Sequence, residues 1–452
     1  MTGIKAYYQS LNSKVSLQPL IIFRIAFGLL MVASQIRFLL KGWVKELYLA
    51  PKFHFTYPGF SWITPLPEVW MYSLVVATIL LALCVSLGLF YRISIILFFL
   101  SFTYLELIDK SFYLNHYYFV SLISFLLIFL PANGKFSLDT ILFPHVRKTN
   151  VTKWLIEIIK WQICLTYIFA GIAKINYDWL ILAQPLKIWL SARTDTPIVG
   201  SFFNEPWVAY LFSWTGMVYD LTIAFFLLKR KTRPYAFVFV IIFHLMTWTL
   251  FNIGMFPFIM IFSALIFFDE KDWKKIFFKQ TNVEAINERK PIFLFKTKSL
   301  QYIMTGYFII QIILPLRHHL YKGNLRWTEE GYRFAWHVMV VEKTGYCEFI
   351  VKDKDSQKNW TVHPSQYLTK VQEKQMSFQP DMIWQFAKYL ESDFKEKGIA
   401  DMSINVKNFV SLNGRKSQPL VDPNIDLTEI ESEFQLSEII VKEEELESVE
   451  LN

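Results

Sequence analysis

The sequence predicts a polytopic α-helical membrane protein followed by a small non-cytoplasmic α+β, β-rich domain. The 452 residues are 54% hydrophobic and 18% aromatic, and the mean hydropathy is +0.31, which is too apolar for a soluble protein of this size. Several apolar runs approach or exceed the roughly 20 residues that cross a bilayer as a helix. They are continuous rather than alternating, which favours helices over a barrel. After Pro315 the composition changes.

The apolar runs predict nine membrane spans within a transmembrane domain over residues 1–316. The spans are Leu17–Leu40, Trp70–Phe90, Ile93–Ile108, Phe112–Pro131, Trp154–Ala173, Trp207–Leu228, Tyr235–Phe251, Met255–Phe268 and Leu300–Leu316. The seventh and eighth are short, so they form either a tight hairpin around "FNIG" or a partly re-entrant segment. The first run is too long for a signal-peptide core and lacks a small-residue cleavage site, so we expect a retained signal anchor.

The basic residues predict the orientation of these spans. Cytoplasmic loops carry an excess of lysine and arginine. With the N-terminus in the cytoplasm, the inside loops hold the clusters at 229–233 and 271–298, and the outside loops hold far fewer cations. Lys174 and everything after Leu316 then face the non-cytoplasmic side.

The residues after the last span predict a separate domain over 317–425. Residues 332–368 alternate apolar and polar, with turn signals at Thr344-Gly345 and at 353–358, which indicates antiparallel strands. "PDMIWQFAKYLESDFKEKG" is typical of an amphipathic helix, and "SINVKNFVSLNGR" of a strand that ends in a turn. Residues 426–452 are rich in glutamate and predict an acidic flexible tail.

The sequence lacks the common signatures of metal and nucleotide sites. It holds three cysteines and has no CxxC, HExxH, Walker A loop or GxGxxG. We therefore expect no disulfide framework, no metal and no nucleic-acid partner.

Ionisable residues at membrane depth are expensive, so each is a candidate for function. They are Arg24, Arg37, Glu106, His116, Glu157, Lys160, Lys174, Asp220 and His244. Glu157 and Lys160 are three residues apart and can neutralise each other on one helix. For Arg24 and Asp220 we expect structural ion pairs with other helices.

Lys174 lies in "FAGIAKINYDWL", at the end of the fifth span. The small pair Ala170-Gly171 precedes it and allows close helix approach. No acidic residue stands three or four positions before it. Two interpretations remain open. The lysine extends to the membrane interface, or desolvation removes its proton and leaves an amine that acts as a base.

Two further stretches carry polar residues among aromatic ones. "YLNHYYF" places Asn115 and His116 near the start of the fourth span, where they serve the structure or hydrogen-bond a planar oxygen-bearing ligand. "FHLMTWTLFNIGMFPF" supplies four candidates that line a ring system or belong to the core. These are His244, Asn252, Met255 and Phe256.

Taken together, these stretches resemble the vitamin K-dependent gamma-carboxylase family. The resemblance rests on "FAGIAKINYDWL", "NHYYF", "FHLMTWTLFNIGMF", "LPLRHHLYKGNLRWTEEGYRFAWHVMV" and "VSLNGRKSQPLVDPNIDL", and it runs from about Leu17 to Leu427. The membrane part also resembles the broader HTTM group.

The resemblance implies a carbon–carbon lyase that carboxylates protein glutamate and couples this to oxygenation of a reduced quinone to its epoxide. The co-substrates would be reduced vitamin K (a menaquinol- or phylloquinol-type hydroquinone), O2 and CO2. By the same resemblance Lys174 would deprotonate the quinol, and His116 with Asn115 would orient the oxygenated quinone. His244, Asn252, Met255 and Phe256 would bind the quinone, and Tyr332 and Trp336 the glutamate substrate.

The resemblance leaves alternatives open. The family's inter-domain disulfide cannot be placed. The chain is shorter than the animal enzymes and its sequons at Asn150 and Asn359 are weak, which suggests a bacterial-type member in the inner (cell) membrane. Its partners would be the bilayer, a lipophilic quinol and a glutamate-containing protein or peptide. The alternatives are a quinol epoxidase or monooxygenase that carboxylates no peptide, and a non-enzymatic membrane binding protein.

Overall fold

The structure is a computed structural model that describes residues 9–251, 253–276 and 297–443. Its α-helices are α1 Gln18–Leu40, α2 Glu68–Leu87, α3 Tyr91–Leu107, α4 Asn115–Ile128, α5 Asp139–Leu142, α6 Trp154–Ala173, α7 Tyr177–Leu180, α8 Leu186–Ser191, α9 Pro206–Leu228, α10 Arg233–Phe251, α11 Phe256–Ser263, α12 Glu270–Ile276, α13 Thr297–Leu316, α14 Leu325–Thr328, α15 Lys370–Met376, α16 Pro380–Glu396 and α17 Leu436–Ile439. The strands are β1 Lys14–Ser16, β2 Asn150–Thr152, β3 Lys343–Asp353, β4 Asn359–Val362, β5 Met402–Leu412 and β6 Gln418–Pro419.

The helical part is that of a membrane protein. In the described ranges, six helices are long and apolar enough to cross a bilayer. They are Gln18–Leu40, Glu68–Leu87, Trp154–Ala173, Pro206–Leu228, Arg233–Phe251 and Lys298–Leu320. The other three predicted spans contain the shorter helices α3, α4 and α11, of 17, 14 and 8 residues. The predicted number of nine spans is therefore not confirmed.

Small residues bring the long helices close together. A Cβ atom on Gly28 of α1 would lie 2.6 Å from Cβ of Ser86 on α2. A Cβ atom on Gly171 of α6 would lie 2.9 Å from the backbone nitrogen of Leu221 on α9. Both distances are too short for any side chain, so glycine sets the separation of each pair. The contact at Gly171 fixes the position of Lys174 one turn later.

The buried charges of the membrane part are stabilised either by an ion pair or by hydrogen bonds to backbone carbonyls. Lys160 Nζ lies 3.1 Å from Glu157 Oε1, as their spacing predicts. The expected ion pair of Arg24 is wrong, because its guanidinium donates to the carbonyls of Val85 and Phe136 at 3.0 and 2.6 Å. Val85 lies in the last turn of α2, where its carbonyl lacks the usual α-helical donor and accepts from the Gly88 N–H as well as from Arg24. These carbonyls therefore take the place of a carboxylate.

The C-terminal domain is a four-stranded antiparallel sheet in the order β4-β3-β5-β6. Helix α16 packs its apolar face on the sheet, as the predicted amphipathic helix requires. The predicted turn at Thr344-Gly345 is wrong, because both residues lie inside β3. A Cβ atom on Gly345 would lie 2.5 Å from the carbonyl oxygen of Ser377, so this glycine serves close packing rather than a turn.

Residues 332–342 form no strand, although their alternation predicts one. Three non-glycine residues of this segment have a positive φ: Phe334 at +65°, Trp336 at +60° and Met339 at +53°. A backbone that leaves the extended φ/ψ region three times within eleven residues cannot form the hydrogen-bond ladder of a strand. Such costly conformations persist where the surroundings fix them, often at functional sites.

The predicted tail boundary at residue 426 is wrong for residues 426–443. Leu427, Leu436 and Ile439 are buried in the core of the C-terminal domain, and Val421 bridges to Ile440. The glutamate-rich composition conceals these spaced apolar residues. The rest of the predicted tail lies outside the described residues.

Candidate functional site

Lys174 lies at the end of α6 and pairs with a carboxylate from another helix. Its Nζ donates to Asp220 Oδ2 at 2.8 Å and to the Ala170 carbonyl at 3.2 Å. The Lys174 side chain is 8% exposed and that of Asp220 is 9% exposed. The interpretation of Lys174 as an amine without a carboxylate partner is therefore wrong. The partner stands 46 positions away in sequence, so local spacing could not reveal it.

Lys174 and Asp220 face a cavity of about 260 Å³, which we call the apolar cavity. Its polar groups are few, as in a site for a flat apolar ligand that needs orientation. Trp179 holds its ring 5.4 Å from Lys174 Nζ, close enough to attract a cation. The main aromatic and sulfur-containing lining residues are Tyr167, Trp179, Trp189, Phe212, Phe243, Met246, Phe251, Phe256 and Met260.

His244 also lines the apolar cavity. One ring nitrogen, Nε2, lies 3.0 Å from the Tyr167 hydroxyl, and the ring packs edge-on against Phe256 at 6.1 Å. The histidine is buried. The structure thus brings the predicted residues Lys174, His244 and Phe256 together around one cavity.

A second cavity of about 600 Å³, which we call the polar cavity, lies between the membrane helices and the C-terminal domain. Asn115, His116, Met255 and Tyr332 line it. Asn115 Oδ1 accepts a hydrogen bond from the Tyr113 hydroxyl at 3.0 Å. This cavity therefore joins predicted quinone-binding residues with a predicted substrate-binding residue.

The two cavities share a wall. Ile253, Phe256, Val338 and Met339 line both of them. Phe256 stands between the predicted residues of the two sides, with ring centroids 5.8 Å from His116 and 6.1 Å from His244. Val338 and Met339 come from the irregular 332–342 segment. The unusual backbone of that segment is what places domain residues against the membrane site.

Paired charges surround the polar cavity. Lys110 Nζ lies 2.6 Å from Asp381 Oδ2, and Arg333 Nη1 lies 2.8 Å from the same oxygen. Burial alone raises the pKa of Asp381, but the two cations outweigh it and hold that pKa well below its usual value. The carboxylate therefore stays ionised and fixes both cations in place.

Burial shifts the pKa of two other residues of the C-terminal domain that line the polar cavity. Lys343 Nζ lies 3.2 Å from Glu329 Oε1, and burial lowers the pKa of Lys343 despite this partner. Burial also lowers the pKa of His337 to about 3. His337 Nδ1 is buried without a hydrogen-bond partner among the described residues. The cavity therefore contains a neutral imidazole at physiological pH.

Two predicted site residues are not found in either cavity. Trp336 packs its ring 5.1 Å from Tyr118 and 6.4 Å from Phe119, and it lines neither cavity. Asn252 lies outside the described residues. The prediction for Trp336 followed its chain position, whereas the positive φ at this residue turns its side chain into the membrane core.

Asp178, four residues after Lys174, anchors the C-terminal domain. It accepts hydrogen bonds from the Arg415 guanidinium through both carboxylate oxygens and from Asn413 Nδ2 at 2.7 Å. Burial raises the pKa of Asp178, but these donors outweigh it and the pKa lies below its usual value. The segment that carries Lys174 is thus tied directly to the turn after β5.

The expectation that Asp220 forms an ion pair with another helix is confirmed. Sequence reasoning did not identify Lys174 as the partner, and it missed His337 and the shared wall. A carboxylate in the middle of a 23-residue apolar helix was the available signal for Asp220. Nothing local could pair it with Lys174, and nothing in the alternating 332–342 segment indicates its wall function.

Comparison with protein families agrees with this arrangement. Residues 12–273 match the HTTM domain, and residues 296–445 match the lumenal domain of vitamin K-dependent gamma-carboxylase. No solved structure matches the chain. The chain belongs to the vitamin K-dependent gamma-carboxylase family.

Proposed function

We propose that this protein couples oxygenation of a reduced naphthoquinone to its epoxide with carboxylation of glutamate in a protein or peptide. One observation carries the proposal. A buried lysine faces an apolar cavity, and only a thin wall separates that cavity from a polar one beneath the C-terminal domain. Two co-substrates of opposite polarity would meet across such a wall.

The apolar cavity fits the ring system of a lipophilic quinol. Aromatic and methionine side chains surround a flat apolar ring well. Lys174 and His244 supply the few polar atoms that orient hydroxyl groups. The bound quinol, with O2, would supply a base stronger than any side chain, and the protein excludes the water that would quench it.

Lys174 would accept the proton of the quinol, after Asp220 has first taken a proton from the Lys174 ammonium. A charged lysine has no free electron pair. Transfer of its proton across the 2.8 Å hydrogen bond to Asp220 leaves a neutral acid and a neutral amine. The amine then accepts the proton of the quinol hydroxyl. Asp220 is thus a positioning residue and a proton acceptor that acts through Lys174.

The polar cavity would hold the glutamyl side chain. It opens beneath the C-terminal domain, and Tyr332 lines it together with Asn115 and His116. We propose the same binding roles for these residues as the sequence predicted, towards the quinone for Asn115 and His116 and towards the glutamate for Tyr332. We also propose that the N-terminus lies in the cytoplasm and that the C-terminal domain lies outside the inner (cell) membrane of a bacterium.

The test is an assay of the purified protein in detergent with reduced vitamin K, O2, labelled bicarbonate and a glutamate-rich peptide. We expect epoxide and incorporated label together, both lost in Lys174→Ala. Lys187→Ala is the matched control, because Lys187 stacks on Tyr210 and lines neither cavity. Epoxide without label would support a quinol monooxygenase. Neither product from folded wild-type protein would contradict the proposal and favour a binding protein.

A further inference from the structure

The cationic side chains around the polar cavity differ in whether they have a carboxylate partner. Lys110 and Arg333 share Asp381, and Lys343 is paired with Glu329. Arg37, near the end of α1, lines the same cavity, and among the described residues it has no hydrogen bond and no ion pair. An arginine at membrane depth without an anion is costly, and such a residue marks a functional site.

The Arg37 guanidinium is held in place without being neutralised. It lies 4.9 Å from the centroid of the Trp43 ring, in a cation–π contact that leaves the N–H groups free. Gly254 lies beside it, since a Cβ atom there would be 3.8 Å from Arg37 Nη1. The φ of Gly254 is +63°, which favours glycine in this turn before Met255. The fold therefore places a positioned, unpaired cation next to the shared wall.

We propose that Arg37 binds the side-chain carboxylate of the acceptor peptide and so selects glutamate over glutamine. Arginine is suited to this because its planar guanidinium donates two parallel hydrogen bonds to a carboxylate. Lys110, Arg333 and Lys343 cannot do so without giving up a carboxylate of the protein. Lys374 also lines the cavity, from an exposed position on α15, but its ammonium is a flexible point charge without this planar fork. The inference rests on the proposed function and assigns a specificity-determining residue to it.

The position of Arg37 also fits the chemistry of the product. The reaction adds a carboxylate to the γ-carbon, so negative charge accumulates in the cavity during turnover. A positioned cation stabilises such charge without reorganisation. Asn115 and His116, which line the same cavity, bring uncharged donors to the same region.

The first experiment measures binding of a synthetic peptide with central glutamates and of its glutamine-substituted twin to detergent-purified protein. Wild-type protein is expected to bind the glutamate peptide at least tenfold more tightly, since only the carboxylate accepts charge-assisted hydrogen bonds from the guanidinium. Arg37→Gln is expected to remove this preference, and Arg37→Lys to keep part of it. Lys41→Gln, one turn later on an exposed surface, is the matched control and is expected to keep it all.

The second experiment measures carboxylation kinetics on the same variants. Arg37→Gln is expected to raise the KM for the glutamate peptide about tenfold or more and to leave the KM for the quinol unchanged. Thermal unfolding in detergent checks the fold of each variant, and Arg37→Lys serves if the glutamine variant is unstable.

The outcomes separate the inference from the proposed function. Equal binding of both peptides by wild-type protein, or an unchanged preference in Arg37→Gln, would overturn the role of Arg37 even if the protein carboxylates peptides. Arg37-dependent preference without any carboxylation would support the role of Arg37 and contradict the proposed function.

Discussion

The ion pair of Lys174 and Asp220 gives the sharpest test of the site. The two atoms are 2.8 Å apart and both side chains are less than 10% exposed, so neither charge is well hydrated. Breaking a buried pair by removing one partner costs roughly 3–5 kcal/mol, because it leaves the other charge uncompensated. We therefore expect Asp220→Asn and Lys174→Met each to lower the free energy of unfolding by about 3 kcal/mol.

The double variant decides whether the pair acts as a unit. Since it leaves no unpaired charge, Asp220→Asn with Lys174→Met should cost less than the sum of the single changes, by about 2 kcal/mol. Reversible unfolding in mixed micelles, followed by tryptophan fluorescence, measures all four free energies. A parallel cycle on Glu157 and Lys160, a buried pair outside both cavities, should show coupling without loss of quinol turnover. Single effects that add within about 0.5 kcal/mol would refute the reasoning.

Three further predictions concern the wall, the anchor and the sheet. Phe256→Ala should open the wall between the cavities, so epoxide formed per carboxylated glutamate should rise above the wild-type ratio; an unchanged ratio would argue against the wall. Asp178 has a lowered pKa in the folded protein, so its stabilisation is present above its unfolded-state pKa of about 4 and is lost as pH falls through the folded value. Asp178→Asn should therefore melt at a lower temperature than wild type at pH 7. Its melting temperature should also fall less than that of wild type between pH 5 and pH 3. Gly345→Ala should destabilise the C-terminal domain by about 1–3 kcal/mol, since the new methyl meets the Ser377 carbonyl at 2.5 Å. Gly306→Ala on α13, with open space around it and no positive φ, controls for the loss of a glycine.

The sequence by itself determined the elements whose signal is local. Apolar runs of bilayer length predicted the helices, because a helix satisfies its own backbone within one segment. The same holds for α16 and β5, whose periodicities of 3.6 and 2 give one apolar face each. Charged and polar residues within apolar helices indicated Lys174, His116 and His244, since each is expensive at that depth.

Only the tertiary structure decided how these residues are combined. Asp220 reaches Lys174 because Gly171 lets α9 approach α6, a contact between segments 46 residues apart that no local pattern encodes. Residues 332–342 form a wall instead of a strand because three positive φ values redirect their side chains. Among the described residues Arg37 has no ion-pair partner, because Glu329 of the polar cavity pairs with Lys343 and Glu342 accepts a hydrogen bond from Trp189. Local sequence specifies what each segment is, whereas the neutralisation of each charge depends on which segments the fold brings within about 3 Å of one another.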